Sequence, residues 1–474
     1  FFIRGAYFVG EDVYFTTEDR ETVYNPPIQP TTTYHEISSQ LSLDNFNRSI
    51  KSRRMTSDYY EGFFIYRVDF NDSIESFIDY NDDVVEMFQP YDKNDVVEMF
   101  NTGTIDTADL DYLNCGNLSI LQDRQICQMK RWIQDVFDFY NDDTKLILVT
   151  SDGIFATSDL NNLNKFNKIK SNFMEFVNYE KFYTHTQYGV KDILVNDNDI
   201  YVSLISQLDK NCYNFRLLKS KINQKKLTFK IFYEIPKCVK EDNDHQYYAG
   251  QGAGGRMYIR NNSILLTTGE FRNRPLAQNK KSFYGKILEI NLDSKKAEVV
   301  SFGHRNAQGI YYSKSYDFII STEHGPKGGD EININHKPFN MIKNFGWPIS
   351  SYGEHYYKNH PDKILKEAPL NKSHKKFGFE EPIKYFVPSI GISEIISITK
   401  NDDQFLIGAM GNEIVEQDLG LHLIKLDNER KKVIKHKYIP LNERVRDMII
   451  SKDKKIIIMF LETTSSLAVL RKNS

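Results

Sequence analysis

GHRNAQG (Gly303–Gly309) and TEHGPKGGDE (Thr322–Glu331) stand at the two ends of one alternating apolar run. A strand hairpin over that run brings the chain back to the level where it began, so the two polar segments meet in space. Arg305 and Asn306 then lie beside His324, Gly325 and Pro326. Arginine carries a rigid fork of donors that matches a carboxylate or a phosphate. Its alternative is an ion pair with a neighbouring acid, such as Glu323 for Arg305. The histidine and two carboxylates of HGPKGGDE invite a zinc assignment, but glycine and proline prevent the helix that would aim them at one point. A hard cation such as calcium suits the segment better, through the carbonyls of Gly325 and Pro326. Asp330 and Glu331 are expected to hold the turn by accepting backbone N–H groups.

The same hairpin recurs. Copies begin at Leu146, Asp192, Arg256, Gly309, Ile395 and Asp447, between 46 and 86 residues apart, which leaves room for two further strands and loops in each unit. Six such antiparallel sheets predict an all-β fold, a six-bladed β-propeller, whose radial closure hides the strand edges. A β-sandwich is the competing architecture and gives no reason for six similar hairpins. In a propeller, equal phases of the repeat share one rim. GQGAGGR, GHRNAQG and NERVRD precede their first strands, while TTGEFRNR, TEHGPKGGDE and GAMGNE follow their second strands. One channel mouth therefore collects Arg305, Asn306, Arg444 and Arg446, with Arg256, Arg272 and His324 as further candidates. Such a set suits a planar polyanion. An ion pair between Arg446 and Asp447 of another blade is the bland reading, and NFGWP reads as a rim loop anchored by Trp347.

Composition narrows the partners. Among 474 residues, 61 basic side chains against 64 acidic ones give a net charge of −3, so no global field draws the chain to nucleic acid or an anionic membrane. The longest apolar runs, such as KIIIMFL, have strand length, which argues against membrane insertion. The chain opens at Phe1 without a signal-like leader, as a processed form or a fragment would. Residues 1–142 do not follow the repeat and read as an N-terminal extension or small domain of mixed strand and helix, with a helix over Asp123–Asn141. Residues 143–474 make the propeller. Cys212 and Cys238 bracket one hairpin and are expected to form a disulfide, with Cys115–Cys127 a second pair and free thiols the alternative; a disulfide implies an oxidising compartment.

GHRNAQG, TEHGPKGGDEIN, NFGWP, EPIKYFVPSI and ERVRD, in this order, resemble the soluble glucose/sorbosone dehydrogenase family, which includes quinoprotein aldose sugar dehydrogenases. The resemblance spans Thr144–Leu470. It implies a six-bladed propeller holding pyrroloquinoline quinone over calcium, oxidation of an aldose at C1, an external electron acceptor, and a periplasmic or secreted location. Position by position it puts Arg305 and Asn306 on the quinone carbonyls, with Arg305 also on the substrate oxygen, and gives His324 a cofactor contact. It assigns the carbonyls of Gly325 and Pro326 to calcium and Arg444 and Arg446 to the cofactor carboxylates. Arg305 and His324 are the expected catalytic residues. The family's base histidine has no counterpart, since GQGAGGR places Gly252 there; His245 and His324 are the substitutes to consider. A lysine that some members carry is replaced near Gly411. A dehydrogenase with an altered base and a non-catalytic propeller that binds an anionic or sugar ligand both stay open, and a calcium-dependent lactonase fits the motifs less well.

Overall fold

The computed structural model describes residues 2–9, 12–18, 135–140, 143–150, 153, 155–160, 162–177, 189–209, 212–240, 252–356, 362–411, 417–462 and 466–471. Six antiparallel sheets are arranged about one axis. Their innermost strands are Asp135–Tyr140, Gly189–Asn196, Gly254–Arg260, Ala307–Ser313, Ile392–Ser397 and Val445–Ile450. Each packs against the innermost strands of the blades before and after it, and the sixth packs against the first, which closes the ring. The expected six-bladed propeller is the observed fold.

Closure involves the N-terminal residues. Phe2–Val9 pairs with Ser466–Arg471 as the outer strand of the sixth blade, and Asp12–Glu18 pairs with Asn162–Ser171, the outer strand of the first. The hairpin GAYFVGEDVYFTTED thus ties the last blade to the first.

Two expectations need correction. Asp135–Tyr140 is strand where a helix over Asp123–Asn141 was expected; the remainder of that span lies outside the described residues. Val136, Phe137, Phe139 and Tyr140 suit either period, and pairing with Lys145–Thr150 decides for strand. In consequence the repeat at Leu146 supplies the second and third strands of its blade rather than the innermost pair. The other five hairpins are innermost pairs.

Packing between blade faces forms the core. Tyr201, Phe215 and Leu217 of the second blade meet Met257, Leu266 and Tyr284 of the third, and Phe318 and Ile320 of the fourth meet Phe405 and Ile407 of the fifth. Both faces of an inner strand are covered, which is why all six residues of Ser263–Thr268 are buried. On the second blade Cys212 and Cys238 form the expected disulfide, with Cα atoms 5.4 Å apart at a sequence separation of 26. Cys115 and Cys127 lie outside the described residues. Replacing Cys212 and Cys238 with Ser should lower unfolding stability by about 2–4 kcal/mol, chiefly by freeing the unfolded chain, as a denaturation midpoint would register.

Candidate active site at the channel mouth

Residues of the third and fourth blades form one connected group of the expected site residues. Arg305 is held at three points: its Nη1 donates to the His324 carbonyl at 2.6 Å, its guanidinium lies 5.3 Å from the Trp347 ring, and its backbone N–H donates to Glu323. Trp347 is the expected anchor, buried with Ala277, Ala368 and Leu370. Asn306 is buried; its amide oxygen accepts from Gly254 N at 2.9 Å and from Gln308 Nε2 at 2.7 Å, which leaves the amide NH2 end for a ligand. His324 N donates to the Asn306 carbonyl at 3.0 Å, so the three residues share one network.

The GPKGG turn is braced by Asp330, as expected, whereas Glu331 pairs with His374, Oε1 to Nε2 3.1 Å. Asp330 Oδ1 accepts from Gly325 N at 2.8 Å and its Oδ2 accepts from Ile390 N and Ile392 N at 3.0 Å each. His324 Nδ1 lies 3.3 Å from Oδ1, an ion-pair distance without hydrogen-bond alignment. Burial pushes the Asp330 carboxyl up, but His324 and the N–H groups of Ile392 and Gly325 together hold it below the ordinary carboxylate range. Ser389 Oγ stands 3.0 Å from Asp330 Oδ1 and 3.3 Å from the Pro326 carbonyl. One hydroxyl proton serves the nearer carboxylate, which leaves the Pro326 oxygen open to a cation. A side chain at Gly325 would run into the Gly329 backbone, so only glycine permits this fold of the loop. Among the described residues no three His, Cys, Asp or Glu side chains cluster to hold a metal ion.

Arg444 and Arg446 form a second group, on the sixth blade. Glu462 takes both: Arg446 Nε and Nη2 donate to its Oε2 at 3.1 and 2.8 Å, and Arg444 Nε lies 3.5 Å away. Arg444 also donates to the carbonyls of Met410 and Gly411. Burial works against the Glu462 carboxylate, yet the two guanidiniums hold its pKa below the ordinary range. The acid partner of Arg446 is therefore Glu462, not Asp447. Gly411 has no room for the lysine of some relatives, because a Cβ there would strike Asp418.

Arg256 joins the two groups. Its guanidinium is buried, with Nη1 2.8 Å from Asp447 Oδ1 and 3.3 Å from Asp192 Oδ1, and Nε 3.2 Å from Glu394 Oε2. Nη2 donates to the Arg446 carbonyl and Nε to the Gln308 carbonyl, both at 3.1 Å, and Gln308 bonds Asn306 in turn. A continuous hydrogen-bond chain thus runs from Arg446 to Asn306. Burial raises Asp192 and Glu394 against the pull of Arg256. Lys191, beside Arg446 and Arg256, is pushed down to about 7 by burial first and by those two cations second. A cavity of about 1140 Å³ is lined by Asp192, Glu394 and Asp447 of this cluster and reaches the hairpin turns at Asn196–Asn198, Asn261 and Lys400; none of the expected site residues lines it.

Asp192, Arg256, Glu394 and Asp447 each stand directly before the apolar core of an innermost strand, and Glu323, Glu462 and Glu270 lie at the end of a second strand, one residue past it and two residues past it. The same phase rule that gathered the arginines applies to these acids.

A family model for glucose/sorbosone dehydrogenases matches residues 144–469. The chain belongs to this family. The span agrees with that of the motif resemblance. An uncharacterized Synechocystis protein, slr1608, is 27% identical over 305 residues, 57% of this chain and 68% of that protein. The aldose sugar dehydrogenase YliI of Escherichia coli is 29% identical over 189 residues, 37% of this chain and 45% of YliI. The apo crystal structure of the soluble E. coli aldose sugar dehydrogenase superimposes with a TM-score of 0.56 at 20% identity, covering 72% of this chain and 98% of that one. A glucose dehydrogenase crystal structure gives 0.57 at 20% identity, covering 73% and 98%. These superpositions support the propeller fold.

Proposed function

We propose that this family member oxidises an aldose at C1 using bound pyrroloquinoline quinone and passes the electrons to an external acceptor. What supports the proposal is a connected donor set: Arg305 and Asn306 in one group and Arg444 and Arg446 in another, linked by Arg256 through the carbonyls of Arg446 and Gln308 and by Gln308 to Asn306. Charge-assisted donors spaced around one opening suit a planar tricarboxylate. Calcium would bind the carbonyls of Gly325 and Pro326, which neutralises part of the cofactor's charge. The quinone, when bound, supplies the hydride acceptor. Arg305, pinned by His324 and Trp347, holds the substrate oxygen, and Asn306 presents its NH2 to the cofactor. The disulfide supports a periplasmic or secreted site of action.

A propeller that only binds its ligand is the second reading, and Gly252 favours it, since glycine cannot accept a proton. Reconstituting purified protein with the quinone and calcium and following dye reduction with a panel of aldoses separates the two. Dye reduction that needs both quinone and aldose is the expected result. Quinone binding with no reduction by any aldose would establish the binding module instead.

A further inference from the structure

The structure offers a carboxylate where the histidine is missing, and this inference rests on the quinone-dependent reading above. Glu270 follows the second strand of the third blade. Its backbone N–H donates to the Arg305 carbonyl at 3.1 Å, and the next N–H, of Phe271, donates to the Gly252 carbonyl at 3.1 Å. Glu270 therefore sits between the residue that lacks a base and the residue assigned to the substrate oxygen. A Cβ at Gly252 would lie 3.9 Å from Arg272 N and 4.0 Å from the Phe271 Cα, ordinary contact distances against the Glu270 segment. A side chain at position 252 would thus pack on the backbone of Phe271 and Arg272, the residues that follow Glu270.

The carboxyl itself is poised for proton uptake. Glu270 is 2% exposed, and its Oε2 has no hydrogen-bond partner among the described residues. A buried carboxylate oxygen without a donor is a costly feature in a purely structural ion pair. Burial raises the Glu270 carboxyl to about 7; Arg305, Arg274 and Arg272 pull it down and Glu323 pushes it up. His304, the other titratable neighbour on this side, is bound to Glu323 through Nδ1 at 2.9 Å. A base with a pKa near neutrality has the balance of strength and ionisation that general-base catalysis needs.

We propose that Glu270 is the proton acceptor of the reaction. The C1 hydroxyl gives its proton to Glu270, within reach or across one water, while the C1–H bond breaks and its electron pair leaves with the hydrogen as hydride to the quinone. C1 becomes the carbonyl carbon of a lactone, and Glu270 becomes a carboxylic acid that releases its proton to solvent.

Glu270→Gln tests this, with Gly252→His added in its background. In the parent protein kcat/KM for aldose should rise with pH through about 7, the folded-state pKa of Glu270. Glu270→Gln should lower it at least about 100-fold, within the range for one positioned base, and abolish that acid limb. Quinone Kd should hold within about threefold, since Gln keeps the shape. Gly252→His in the Gln variant should restore at least about tenfold. Independently of turnover, the infrared difference between apo parent and apo Gln variant should show one carboxyl band titrating near 7. An unchanged acid limb in a quinone-binding Gln variant, or no such band, overturns the assignment of Glu270. Failure of the parent itself to bind quinone overturns the cofactor reading and this inference together.

Discussion

Arg256→Ala is expected to be the most damaging single change in the propeller. The substitution leaves Asp192, Glu394 and Asp447 facing one another in the channel without their cation. Breaking a buried ion cluster by removing one partner typically costs about 3–5 kcal/mol, because the remaining charges stay desolvated. The loss should depend on pH in a definite direction. Asp192 and Glu394 have folded-state pKa values raised above their ordinary 3.8 and 4.5, to about 7 and about 8. Their contribution to stability is therefore full below about pH 4 and is lost as pH rises through 7 to 8. Removing Arg256 raises both pKa values further, so the denaturation midpoint should fall more at pH 8 than at pH 5. An equal loss at both pH values would show that Arg256 acts by packing alone.

The double variant Arg305→Ala with Arg446→Ala should lose most of the affinity for the quinone. Each arginine is expected to make one charge-assisted bond worth about 1.5–3 kcal/mol. The two sit on different blades with separate supports, Trp347 and His324 for one and Glu462 for the other, so the losses should add to about 3–6 kcal/mol. Equilibrium titration of the single and double variants checks both size and additivity. Full affinity in both single variants would mean that the arginines serve only as structural ion-pair partners.

The fold was largely legible because a propeller repeats one hairpin, and alternation with polar turns survives in each copy from Asp192 onward. The first blade broke the pattern. Its innermost strand, Asp135–Tyr140, has apolar spacing compatible with a helix, and only pairing with Lys145–Thr150 resolves it. Arg305, Arg444 and Arg446 stand out in the sequence because their phase in the repeat can be compared across blades. Glu270, Glu323 and Glu462 lie at or within two residues of the end of a second strand, and as single acids there they look like turn formers. Whether a carboxylate caps a turn, neutralises an arginine or waits unpaired is decided by neighbours from other blades: Arg446 for Glu462, His304 for Glu323. The partners of Arg256 are illegible in the sequence for the same reason, since its three acids come from the second, fifth and sixth blades.

The most direct test of the account is titration of purified apoprotein with pyrroloquinoline quinone, with calcium and with a calcium chelator, followed by the cofactor's absorbance. The proposed site, with Arg305, Asn306, Arg444 and Arg446 as cofactor donors and the Gly325 and Pro326 carbonyls for calcium, predicts saturation at one quinone per chain, with affinity that falls when calcium is removed. No saturable binding in either condition would contradict it.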